Sequence, residues 1–62
     1  MTLLTVREAA EFLKMTETQI YTLNKARSRA RMQRPIPVLR INGNVRFSKE
    51  SLERWLAELE ER

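Results

Sequence analysis

Two capping signatures confine the first third of this chain to a pair of short helices meeting at a corner. Thr5-Val6-Arg7-Glu8 and Thr16-Glu17-Thr18-Gln19 both have the form in which a threonine oxygen takes an orphan amide and an acid or amide three residues on reaches back to the cap. They start eleven residues apart. Between them Val6, Ala9, Ala10 and Leu13 recur at helical spacing with Phe12 beside them, which predicts a first helix over roughly 6–14. Only Lys14 and Met15 then separate it from the second cap. A linker that short forces the helices to cross at a large angle. Ile20 and Leu23 form the inward stripe of the second helix, Met15 plugs the corner and Tyr21 flanks the stripe.

The pattern leaves the end of the second helix open. Asn24 to Gln33 contains no breaker, so the helix can run to about Met32 before Pro35 biases Arg34 away from helix. Against that, the apolar stripe fades after Leu23, and Lys25, Arg27, Arg29, Arg31 and Arg34 repel one another.

The single glycine, Gly43, and the two prolines, Pro35 and Pro37, mark off an extended middle. Residues 36–47 read as a hairpin around Asn42-Gly43, a strong short turn signal. A three-residue loop, Asn42-Gly43-Asn44, pairs Ile41 with Val45 and Leu39 with Phe47 and turns all four to one face. That register makes Arg40 and Arg46 cross-strand neighbours on the outer face, where like charges destabilise. An anion between them relieves the conflict, which suggests that the hairpin touches phosphate. The last helix starts after Ser48, with Glu50 and Glu53 at its positive end and Leu52, Trp55, Leu56 and Leu59 as its inward stripe. Trp55 reads as core rather than as a ligand platform.

The order is therefore α-α-β-β-α, mainly α with a small β-hairpin. At 62 residues with 42% apolar side chains, it forms one domain, 1–62, with a thin core. The chain has no cysteine, no histidine and no aspartate. This argues against disulfides, thiol nucleophiles and transition-metal sites, so no catalytic residue, metal, cofactor or small-molecule ligand is expected. No apolar run exceeds three residues, so no membrane span or signal peptide is expected and the default location is the cytoplasm.

Charge carries the functional signal. Lysine and arginine number 12 against 8 glutamates, and nine of the twelve are arginine. Residues 1–13 sum to −1, residues 14–49 to +8 and residues 50–62 to −3. A basic centre between acidic ends is the footprint of a polyanion binder, weighed against a merely solvated surface.

The chain resembles the excisionase-like, MerR-related winged helix-turn-helix family. The resemblance rests on Leu4-Thr5-Val6-Arg7-Glu8-Ala9-Ala10, Leu13, Thr16 to Tyr21, Pro37-Val38-Leu39-Arg40-Ile41, Val45-Arg46-Phe47, Leu52 and Trp55-Leu56, and covers residues 3–56. Two departures stand out: Lys14 occupies a turn position where the family has glycine, and the connection from the second helix to the hairpin is about seven residues longer than usual, arginine-rich and without glycine.

The resemblance implies that the second helix enters the major groove of double-stranded DNA and that the hairpin is a wing reaching the backbone or the adjacent minor groove. Positions opposite Ile20 and Leu23 then face the groove: Glu17, Thr18, Gln19 and Thr22, with Lys25 near the end. Glutamine suits adenine and threonine a thymine methyl or a phosphate, although Gln19 is equally the capping partner of Thr16. Arg27, Arg29, Arg31 and Arg34 are expected to neutralise phosphates, and Arg40, Asn42, Asn44 and Arg46 to form the wing. Thr5 and Arg7, at the start of the first helix, are expected to hold another phosphate.

With no room for a sensing domain or dimerising coiled coil, the expected role is an excisionase-like recombination directionality factor. It would bind tandem sites by cooperative self-association, bend DNA and act with an integrase. A small transcriptional regulator of the same family is the alternative. A protein-interaction adaptor is the alternative of another class, using the acidic face of Glu53, Glu58, Glu60 and Glu61. An RNA role is disfavoured by the absence of an exposed aromatic platform.

Overall fold

The computed structural model describes residues 1–60, so Glu61 of the expected acidic face lies outside the described residues. The elements are β1 (Leu3–Leu4), α1 (Val6–Leu13), α2 (Glu17–Asn24), α3 (Ala26–Arg31), β2 (Leu39–Ile41), β3 (Asn44–Ser48) and α4 (Lys49–Glu60). The fold is mostly helical with a small antiparallel sheet of strand order β1-β3-β2, a winged helix-turn-helix. To the expected order it adds β1 and α3.

Both capping boxes form. The Glu8 amide donates to Thr5 Oγ1 at 3.2 Å while Glu8 Oε1 accepts from the Thr5 amide at 2.9 Å. Gln19 and Thr16 repeat the exchange at 3.1 and 2.9 Å. Lys14 ends α1 in the left-handed region, φ 60° and ψ 42°, and the Met15 amide then donates to the Ala10 carbonyl at 2.9 Å. That bond closes the last turn of α1 and sets the corner.

The second helix neither continues to Met32 nor gives way to plain loop. It ends at Asn24; Lys25 is extended, with ψ 144°, and α3 begins immediately without a side-chain cap. The break separates α2, whose stripe Ile20 and Leu23 packs inward, from the arginine-rich turns that have no such stripe.

The hairpin register corrects the expectation. The turn has two residues, not three: Leu39 pairs with Arg46, Arg40 with Val45 and Ile41 with Asn44. Asn42 and Gly43 both have positive φ, 50° and 81°, and their twist matches that of the flanking strands. Pairing alternation then puts Arg40 with Val45 on one face and Leu39, Ile41 and Arg46 on the other. Arg40 and Arg46 are not cross-strand neighbours, and the like-charge conflict that pointed to an anion is not there.

The core accommodates this because its apolar residues come from elsewhere. Phe47 is buried and pairs with Leu4 of β1, not with Leu39. Val38 and Val45 pack against the core, and Ile36, ahead of β2, is buried in it. Ala9 and Ala10 of α1 meet there with Ile20, Leu52 and Trp55. Leu56, expected in the α4 stripe, is 41% exposed; Leu52, Trp55 and Leu59 form the inward side.

Candidate nucleic-acid interface

Burial of Ile20 fixes the outward side of α2. Glu17, Thr18, Gln19, Tyr21, Thr22 and Lys25 are all exposed. Thr22 Oγ1 donates to the Thr18 carbonyl at 2.9 Å, leaving its methyl and its lone pairs to offer outward. The Gln19 carboxamide oxygen is committed to Thr16, so a bidentate pair with adenine has to share that oxygen. Tyr21, 54% exposed, was not among the expected groove residues. It lies one helical turn from Thr18, and its offset from the Ile20–Leu23 stripe is the sequence signal that marks it as outward.

The arginines after α2 fall into two kinds. Arg27 and Arg31 are exposed, and among the described residues their side chains take no hydrogen bond or ion pair. Arg29 is half-buried and its Nη1 donates to the Ile36 carbonyl at 2.6 Å. Arg34 Nη1 donates to the Glu58 carbonyl on α4.

On the wing, Arg40, Asn42 and Asn44 are exposed. Arg46 is half-buried, with Nη1 donating to the Val45 carbonyl at 2.8 Å. At the start of α1 the Thr5 hydroxyl oxygen is used by the Glu8 amide, and the Glu8 carboxylate occupies the same end. Arg7 lies 3.7 Å from Glu11 in an exposed pair that solvent screens. The Thr5 oxygen is thus engaged within the helix end, while the Arg7 side chain stays 80% exposed.

Among the described residues no group of three acids, histidines or cysteines is placed to hold a metal ion, and no helix is long and apolar enough to cross a membrane. A groove lies between Arg34, Pro35, Pro37 and the α4 residues Ser51, Arg54, Trp55 and Glu58, where Arg54 Nη2 donates to the Ser51 hydroxyl oxygen at 3.4 Å.

A polar, exposed second helix on a capped helical corner, followed by a hairpin wing with a two-residue turn, defines a winged helix-turn-helix of the DNA-binding class. The model of the helix-turn-helix domain family, a family of excisionase-like DNA-binding domains, matches residues 3–60, and the chain belongs to that family. It is a small DNA-binding helix-turn-helix protein, of a family that is typically non-enzymatic. No curated protein and no solved structure gives a significant match.

Proposed function

We propose that the protein is a cytoplasmic, excisionase-like directionality factor that binds adjacent DNA sites, bends the duplex and steers an integrase. The observation that carries this reading is the exposed polar side of α2 in a domain of an excisionase-like DNA-binding family. In this reading Glu17, Thr18, Gln19, Tyr21 and Thr22 meet base edges and Lys25 a phosphate. The wing supports it in a way the expected register did not. Arg40 and Arg46 project from opposite faces of the ribbon, which suits a tip lying between two phosphate walls, with Asn42 and Asn44 at its end. One domain of this kind buries a modest area on DNA, so side-by-side copies are needed for specificity and affinity. In this reading Thr5 and Arg7 add a phosphate contact from the start of α1.

Gel shifts on duplexes selected from a random pool test the reading, with the selected site moved along a fixed-length fragment. Stepwise bands and a mobility that depends on site position are expected. A single band with no position dependence points to a simple transcriptional regulator. Absence of any shift between 50 and 200 mM salt sinks the DNA reading in favour of an adaptor.

A further inference from the structure

The arginine-rich insertion carries more than diffuse charge. We infer that α3 is a second duplex-docking element, in which Arg27 and Arg31 bind successive phosphates of one strand while Arg29 and Arg34 hold the element in place. The inference rests on the DNA-binding reading and assigns the two pairs opposite jobs.

A six-residue helix is far below the length at which an isolated helix is stable. This one lacks a side-chain cap and carries like charges four residues apart, Arg27 and Arg31, which repel. Tertiary bonds hold it. Arg29 reaches the Ile36 carbonyl, Met32 packs against the core, Arg34 reaches the Glu58 carbonyl and the Trp55 indole reaches the Arg34 carbonyl. A floppy basic tail would satisfy a need for charge alone; this segment is pinned at its middle and just past its C-terminal end.

The helical phase does the sorting. Arg27 and Arg31 are one turn apart on the exposed side, and Arg29 between them points the other way. Their separation along the axis is about 6 Å, the order of the step between phosphates on one strand. Two cations presented at that spacing, with no partner among the described residues, fit a duplex backbone better than a compact anion. The break at Lys25 turns this pair onto a course of its own while keeping it next to α2 in the chain, so the footprint extends past the groove that α2 enters.

The test uses the full chain, a labelled duplex of a selected site and a salt titration followed by anisotropy, alongside thermal melts. The R27A/R31A variant is expected to melt like the parent. Its log–log salt slope is expected to be shallower by about 1.8, so the parent loses about twelvefold more affinity than the variant between 50 and 200 mM salt. R29A is expected to melt at a lower temperature with reduced helical circular dichroism. An unchanged slope for R27A/R31A overturns the docking role. A normal melt for R29A with a slope reduced by about one overturns the anchoring role. If the parent itself shows no salt-dependent binding, the DNA reading fails first, a result distinct from either.

Discussion

The indole Nε1 of Trp55 donates a 2.7 Å hydrogen bond to the main-chain carbonyl of Arg34. One turn further along α4, the Arg34 side chain returns a bond to the Glu58 carbonyl. The two bonds clasp the end of the arginine-rich connection to the last helix. Trp55 therefore fills the core and also fixes the segment that leads into the wing.

Trp55→Phe separates those roles. Phenylalanine keeps most of the buried ring but has no donor, and the Arg34 carbonyl loses its partner. The expected loss is about 1–3 kcal/mol, a fall of at least 4 °C in melting temperature at about 4–8 °C per kcal/mol for a domain this small. A melt within 1 °C of the parent would show that solvent replaces the indole.

Lys14 bears on the corner between α1 and α2. A lysine at φ 60° places its Cβ against the following carbonyl, a strain of about 1–2 kcal/mol that glycine avoids. Lys14→Gly is expected to raise stability by about 0.5–1 kcal/mol, the gain being trimmed by glycine's larger unfolded-state entropy. Urea denaturation reads this directly. A lower midpoint would mean that the lysine makes a contact worth more than the strain.

The helical corner and both caps were legible in the sequence because they are local: each is set by residues three or four apart. The wing register was not. The expectation assumed that Leu39, Ile41, Val45 and Phe47 must share one buried face. Ile36 and Val38 supply what Leu39 and Ile41 were expected to, and Leu4 arrives from the other end of the chain to pair with Phe47. β1 is only two residues long, and no sequence period can mark a strand that short. The break at Lys25 was half legible: the apolar stripe fades after Leu23, but the short α3 that follows is held by bonds that Arg29 and Trp55 make to the Ile36 and Arg34 carbonyls, which no local pattern marks. On the candidate interface, the exposure of the α2 residues was readable from the Ile20–Leu23 stripe. The division of the arginines was not, since charge alone does not say which guanidinium faces inward.

The corrected register has its own consequence for Arg40 and Arg46. On opposite faces of the ribbon they should not repel measurably. A double-mutant cycle of Arg40→Ala and Arg46→Ala on folding stability is expected to give a coupling energy below about 0.5 kcal/mol. A repulsive coupling of about 1 kcal/mol would instead set the two arginines across from each other, as a three-residue loop has them.

Glu50 links the chain's start to α4 and makes that link sensitive to acid. Its Oε1 accepts from the Thr2 amide at 2.9 Å and from the Ser48 hydroxyl at 3.3 Å, while the Lys49 amide donates to the Thr2 carbonyl at 2.9 Å. The Thr2 amide above all, and then Glu50's own amide, favour the charged form and lower the carboxyl pKa from 4.5 to about 2. In the unfolded chain the group titrates near its ordinary value, so in the interval between the two the unfolded state binds more protons. The stabilisation is therefore complete above about pH 4.5 and is lost as pH falls to about 2. Glu50→Gln is expected to remove this part of the acid slope in urea denaturations run from pH 7 to pH 2, because glutamine still accepts from Thr2 but does not titrate. Carboxyl carbon shifts of Glu50 followed by NMR in the folded protein should move with a midpoint near 2. A midpoint near 4.5, or an acid slope identical in the variant, would mean that the Thr2 bond is not held in solution.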